Sequence, residues 1–213
     1  MMEFLVMTDE KLTRRLLDIC YEKQLHHLGS YFSCLDLIDK IYSEMNEDDI
    51  FILSNGHAVV SLYVVLEKYF GFNAEELLEK YGEHPKRDET VKLHCSTGSL
   101  GMGITVAVGR ALANPNRNVY CMISDGESAE GSVWEALRFA YENNLHNLKI
   151  YVNANGWAAY DAVDLDYLEN RIKAFNPYVN FVRTTVNHYG LEGLHAHYTN
   201  FSEEQYQSAL EAL

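Results

Sequence analysis

Val119-Tyr-Cys-Met-Ile-Ser-Asp125-Gly-Glu-Ser-Ala-Glu-Gly131, and further on Leu148-Lys-Ile-Tyr-Val-Asn-Ala-Asn155-Gly-Trp157, are the two stretches that decide the fold. Each opens on a short apolar run, Val119–Ile123 and Leu148–Val152, the length of a buried strand rather than a helix. Each run stops at polar, turn-forming residues. The segment between them, from Gly131 to Tyr141, has helical character. Strand, helix and strand in this order predict a parallel pair, because a parallel return needs a crossover. Asp125 and either Asn153 or Asn155 then arrive at the same edge of one sheet. That is the edge where open α/β sheets bind ligands. A carboxylate, an amide oxygen and a backbone carbonyl are hard donors, suited to Mg²⁺ held together with phosphate groups.

The same alternation runs outward in both directions. A helix is expected from Thr8 onward, with Leu12, Leu16, Ile19 and Cys20 as its apolar stripe. A second is expected from Ser33 as N-cap, with Asp36 as a weak capping-box partner. A strand is expected at 51–53 and helices at 58–70, at 74–81 behind Asn73, and at 100–113. After the central unit come a helix at 165–175, a strand at 179–186 and a terminal helix from Ser202. Segment 82–99 carries no periodicity, and a loop of that length is usually functional or mobile. The pattern predicts an α/β fold: three α/β/α layers around a mostly parallel sheet, covered on both faces. With no repeat or linker, residues 1–213 are expected to form one domain.

Composition narrows the partners. The formal charge of −14 argues against nucleic acid and against an anionic membrane surface. The four cysteines, Cys20, Cys34, Cys95 and Cys121, form no C-x-x-C pair and read as small buried apolar groups in a reducing compartment. The start, 1–7, is too short for a signal sequence, and no run reaches the length of a membrane span; a cytoplasmic location is expected.

Several residues are candidates for chemistry. Gly98-Ser-Leu-Gly101-Met-Gly103 opens a helix, so its backbone N–H groups could meet a phosphate, or its glycines could serve only close packing. No Gly-Lys-Ser/Thr follows, so it is no Walker A loop. His27, His57, His84 and His94 each stand in a Gly-, Ser- or Pro-bearing loop before a helix. Such imidazoles suit proton movement and the binding of phosphate or sugar hydroxyls near neutral pH. His195 and His197 lack a third metal ligand. Ser54, Ser96 and Ser99 have no nucleophile-elbow context, so difficult chemistry would have to come from a cofactor.

Asp125-Gly126, a helix and then Asn155 resembles the thiamine-diphosphate motif. Taken in order, His27-Leu-Gly-Ser, Ser54-Asn-Gly-His57, His84-Pro, Ser96-Thr-Gly-Ser-Leu-Gly-Met-Gly103, Asp125-Gly-Glu-x-x-Glu-Gly131 and Asn155-Gly156 resemble the N-terminal half of transketolase. The resemblance is to the form of that half encoded as a separate subunit. It covers nearly the whole chain, ending on Ala196-His-Tyr and Glu203-Glu-Gln-Tyr206.

The resemblance implies a thiamine-diphosphate-binding fold and a set of roles. Asp125, Asn155 and the carbonyl of Trp157 would hold Mg²⁺, or Ca²⁺ or Mn²⁺ in its place. His57, Gly98, Ser99, Leu100, Gly126 and Glu127 would bind the cofactor. Glu130 would lie near it at a subunit interface. His27, His84, His94 and His197 would face the substrate. Two departures stand out: Ser124 replaces the first glycine of the motif, and His94 stands where the family commonly has glutamate. The glutamate that activates thiamine belongs to a pyrimidine-binding domain outside this sequence. A partner resembling the C-terminal transketolase subunit is therefore implied, in an α₂β₂ assembly that moves a two-carbon ketol unit from a ketose to an aldose. The rival readings are a two-subunit enzyme acting on a keto acid, a specialised transketolase for a surface-polysaccharide sugar, and a non-catalytic binding subunit.

Overall fold

The structure is a computed structural model and describes residues 9–213. Thr8, expected to start the first helix, and the stretch 1–7 lie outside the described residues. In chain order the elements are α1 (Glu10–Glu22), α2 (Leu28–Glu44), β1 (Ile50–Leu53), α3 (Val59–Phe70), α4 (Ala74–Tyr81), α5 (Met102–Ala113) and β2 (Val119–Ser124). They continue with α6 (Gly131–Glu142), β3 (Leu148–Ala154), α7 (Leu165–Phe175), β4 (Asn180–Arg183) and α8 (Glu203–Glu211). The four strands form one parallel sheet in the order β1-β2-β3-β4.

The pleat sorts each strand between two cores, since successive side chains point to opposite faces. Phe51, Leu53, Tyr120, Met122 and Tyr151 pack with α1 to α4. Ile50, Ile52, Cys121, Ile123, Ile150 and Val152 pack with α5 to α7. Burial on both faces is why β1 and β2 read as unbroken apolar runs with no polar alternation. The α/β/α layering expected from the strand–helix alternation is the one observed.

Three local expectations are corrected. Helix α2 starts at Leu28, five residues before Ser33. Ser33 is no N-cap: its hydroxyl donates to the Ser30 carbonyl and accepts the side-chain amides of Asn153 (3.0 Å) and Asn155 (3.3 Å). His27 takes the N-cap position in the left-handed region (φ 62°), and its carbonyl accepts the N–H groups of Ser30 and Tyr31. The last strand is only Asn180–Arg183, because it is a half-exposed edge whose pairing ends where Thr184 N–H meets the Ala154 carbonyl. Segment 82–99 is pinned rather than loose. Asp88 accepts from Tyr81 Oη (2.6 Å) and Thr90, Asp88 and Leu93 form a short antiparallel bridge, and Thr97 Oγ1 donates to the Leu53 carbonyl (2.7 Å).

The small residues of α5 divide. A Cβ on Gly103 would stand 2.6 Å from Ser54 Cα, so α5 rests on the backbone at the end of β1. Gly109 faces open space. Gly103→Val is expected to destabilise the chain by about 3 kcal/mol or more, since backbone cannot yield as a side chain does. Gly109→Ala is expected to be neutral or slightly stabilising. Urea midpoints of the two variants check the contrast, and equal midpoints would refute the contact.

Candidate active site

The C-terminal ends of β1, β2 and β3 open into a cleft of about 770 Å³. Its wall includes His27, His57, His84 and His197, together with Gly98, Leu100, Gly126, Asn155 and Trp157. Distant segments so meet at one sheet edge. The register explains part of this: Ser124 pairs with Asn153, and Asp125 N–H donates to the Asn153 carbonyl at 3.1 Å.

Asp125 sits beneath the cleft, 1 % exposed. Its carboxylate accepts from Gly156 N–H at 2.6 Å and Gly126 N–H at 3.0 Å. Burial nevertheless pushes its pKa up to about 6, with those backbone donors working against the shift. A buried carboxylate held this way has an unmet demand for positive charge. The Asn155 side-chain oxygen accepts from Trp157 N–H at 3.0 Å, while its amide nitrogen is anchored on Ser33. The anchor fixes which end of the amide is the oxygen. Among the described residues no three His, Cys, Asp or Glu side chains cluster as a metal site. A cation here would draw one carboxylate and otherwise neutral oxygens from the chain, leaving coordination places for phosphate oxygens.

The cleft has further features that fit a diphosphate. Gly126 opens the helical turn Gly126–Ala129, and a Cβ there would come within 3.2 Å of Ala158 Cα, so only glycine leaves this part of the wall open. The buried Asn55 Oδ1 and His197 Nε2 have no partner among the described residues. Both residues line the cleft, and such atoms call for a ligand or water. Donors and acceptors thus surround a metal–diphosphate-sized opening, and the residues fit thiamine diphosphate.

His27, His57 and His197 are held neutral. Burial, then neighbouring imidazoles, lowers His57 to about 3; burial lowers His197 to about 4, and His27 is lowered too. His27 and His57 rings stand 5.6 Å apart, and His197 Nδ1 is 3.1 Å from Ser30 Oγ. The His84 ring lies over Gly98, where a Cβ would come within 2.9 Å of it. Gly98 has φ +147°, so a side chain is barred there twice over.

Other expected residues are elsewhere. His94 does not line the cleft; it lines a separate hollow with Tyr42, Tyr69, Phe70 and Lys92, near the opposite end of β1. Ser99 and Glu130 are exposed and outside the cleft wall. Glu127 is fully buried, also outside the wall. Two N–H groups at the start of α5 are taken within the protein: Gly101 N–H goes to Glu127 (2.7 Å) and Ile104 N–H to Ser54 Oγ (3.1 Å). His195 does not join His197 in the cleft.

Sequence reading assigned no role to Asn55, Ser30 or Tyr198, which line the cleft, as does Asn153, the alternative to Asn155 at the sheet edge. Asn55 carried a signal, standing between Ser54 and Gly56-His57. Tyr198 stood in the Ala196-His-Tyr match, but its place in the cleft depends on the path of 184–197 across α2.

Neutral burial of imidazoles has a consequence for acid stability. His27, His57, His94, His188 and His197 are all lowered by burial. Unfolded histidines take up protons below about pH 6.5 and these folded ones do not, so stability falls as pH drops from there towards 4. Asp125 and Glu127 are raised and oppose this, since the folded state then binds their protons first. Five imidazoles outweigh two carboxylates. With partly exposed rings discounted, the chain without ligands should lose about 2 kcal/mol between pH 7 and pH 5.5. The urea midpoint at the two pH values tests it; a midpoint that holds or rises on acidification contradicts it.

Comparison with known proteins places this geometry. The family described as transketolase, thiamine diphosphate binding domain, matches residues 32–208. The apulose-4-phosphate transketolase subunit of Phocaeicola vulgatus is 30 % identical over 198 residues, covering 81 % of this chain and 70 % of that protein. The 6-deoxy-6-sulfo-D-fructose transketolase subunit SqwG of a Clostridium species is 31 % identical over 182 residues, covering 73 % of this chain and 66 % of that one. Among solved structures, transketolase from Campylobacter jejuni superposes with a TM-score of 0.70 at 19 % identity, over 96 % of this chain and 43 % of that one. The chain thus spans about two thirds of the subunit-type relatives and about two fifths of that solved transketolase.

Proposed function

The chain belongs to the transketolase family through its thiamine-diphosphate-binding domain, and from that premise we propose that it is the N-terminal subunit of a two-subunit transketolase-like enzyme. The reaction is transfer of a two-carbon ketol unit from a ketose to an aldose, with thiamine diphosphate and Mg²⁺. The observation that carries this reading is the cleft itself: four histidines from four loops, gathered over a buried aspartate at the C-terminal edge of a parallel sheet. Sugars present hydroxyls, and neutral imidazoles both donate to and accept from hydroxyls. A keto-acid enzyme would need fewer such groups.

Thiamine diphosphate supplies, when bound, the carbon nucleophile that breaks and remakes a C–C bond beside a carbonyl. This chain's residues do the rest of their side of the site. Asp125, the Asn155 oxygen and the Trp157 carbonyl would hold the cation. His57, Gly126 and the Gly98–Leu100 backbone would bind the cofactor. His57 remains uncharged at neutral pH, so it orients by hydrogen bonding. His27, His84 and His197 bind substrate hydroxyls and move protons at their ring nitrogens. The partner is the C-terminal transketolase subunit, in an α₂β₂ assembly, and the compartment is the cytosol.

The test is a donor screen with the chain and its C-terminal partner together, comparing ketoses with 2-keto acids and following transfer to an aldose. Two-carbon transfer from a ketose is expected. Turnover of keto acids alone would replace the reaction class while leaving the cofactor assignment standing.

A further inference from the structure

Glu127 is a charged residue with no contact with solvent, 0 % exposed, in the loop between β2 and α6. Its carboxylate accepts three hydrogen bonds from three separate segments. Ser54 Oγ, at the end of β1, donates at 2.7 Å. Gly101 N–H, at the N-terminus of α5, donates to the same oxygen at 2.7 Å. Ser124 N–H, at the end of β2, donates to the other oxygen at 3.1 Å. The contact is reinforced on both sides. Glu127 N–H returns to Ser124 Oγ (3.2 Å), and Ser54 Oγ, while donating to Glu127, accepts Ile104 N–H (3.1 Å).

From this we infer that Glu127 is a positioning residue, which locks the Gly98–Leu100 turn and the Asp125–Gly126 loop into one rigid frame for the cofactor. The inference rests on the cofactor reading above and adds a residue that acts through others. The physical reason is where α5 finds its anion. A helix N-terminus carries unpaired N–H groups and partial positive charge, and it attracts a carboxylate or a phosphate. Here the protein's own carboxylate occupies that place. The Gly101 amide is therefore not left for the diphosphate, and α5 is fixed before any ligand arrives. Gly98 and Leu100 line the cleft within three residues of Gly101, so a shift of the Gly101 amide is passed to the cleft wall directly. Asp125 is two residues before Glu127 on the other side. One buried side chain thus couples a turn of the cleft wall to the loop that carries the proposed metal ligand Asp125. Preorganisation of this kind lowers the ordering cost of binding.

The test measures hydrogen–deuterium exchange of the full chain without ligand, and thiamine diphosphate affinity with Mg²⁺ for the chain mixed with its partner. In Glu127→Ala the amides of 98–104 and 124–128 should exchange at least about 10-fold faster, while those of 148–152 in the sheet stay protected. Affinity should fall about 10-fold or more. Glu127→Gln keeps one acceptor oxygen for Ser54 and Gly101 but turns an N–H₂ group towards Ser124 N–H. It should restore protection at 98–104 while 124–128 remains fast, and this variant carries the test if the alanine form does not fold. Unchanged exchange at 98–104 in both variants would overturn the inference. So would faster exchange spread evenly over the whole chain, the mark of a merely structural role, or local loosening with no loss of affinity. A native chain that fails to bind the cofactor at all would instead sink the functional reading, with the exchange result still standing on its own.

Discussion

Asp125→Ala is expected to weaken thiamine diphosphate binding in the presence of Mg²⁺ by about 100-fold or more, equivalent to about 2.7 kcal/mol. Asp125 is the only carboxylate among the proposed cation ligands, so its loss leaves the metal with neutral oxygens alone. It also holds the loop that carries two other ligands. Gly156 N–H donates to one carboxylate oxygen and Gly126 N–H to the other, so alanine frees the turn between Asn155 and Trp157 as well. Asp125→Asn separates the two effects. The amide fills the same space and keeps one acceptor, but it loses the charge and turns an N–H₂ group towards a backbone N–H. Both variants should bind poorly, with the asparagine form nearer native stability. Titration calorimetry of the chain with its partner measures this. An alanine variant with native affinity would remove Asp125 from the ligand set.

The chain alone should show no transfer above background, and activity should rise at least about 10³-fold when the C-terminal subunit is added, within the range that acid–base groups contribute to catalysis. The cleft wall explains why. Among the described residues it contains no aspartate or glutamate side chain, and no lysine or arginine. Asp125 lies below the wall with both oxygens engaged. Nothing in that wall is placed to act as the acid that activates the cofactor ring, and nothing is placed to grip a substrate phosphate. The proposed partner subunit is expected to supply the acid. Mixing the two subunits at fixed cofactor concentration and following two-carbon transfer gives the measurement. Turnover by the isolated chain would show that the missing group lies within it.

The site was legible in the sequence wherever residues sit next to a strand end. Asp125 and Asn155 were readable because each follows a short apolar run, and a parallel pair carries both ends to one edge. His57 was readable for the same reason, since it follows β1. His94 was not. It stands in a loop whose local sequence looks like the others, and it follows the bridge from Asp88 to Leu93 into a hollow with Tyr42 and Phe70. The Gly-rich turn before α5 was ambiguous by sequence between phosphate binding and close packing. Two long-range contacts resolved it, Ser54 against Gly103 and Glu127 against Gly101 N–H. The start of α2 was not legible because Ser33 has the chemistry of a cap but is consumed by two asparagine amides more than a hundred residues away.

By itself the sequence determined the strand–helix alternation, the parallel sheet with two covered faces, and the pair Asp125 and Asn155 at its C-terminal edge. Apolar periodicity and turn chemistry are local, and they act on each segment whatever the rest of the chain does. Only the tertiary structure decided which histidines share the cleft, that Glu127 meets the N-terminus of α5, and that Asn55 and Tyr198 belong to the wall. Those outcomes depend on which distant donors and acceptors are left for one another once both cores have closed.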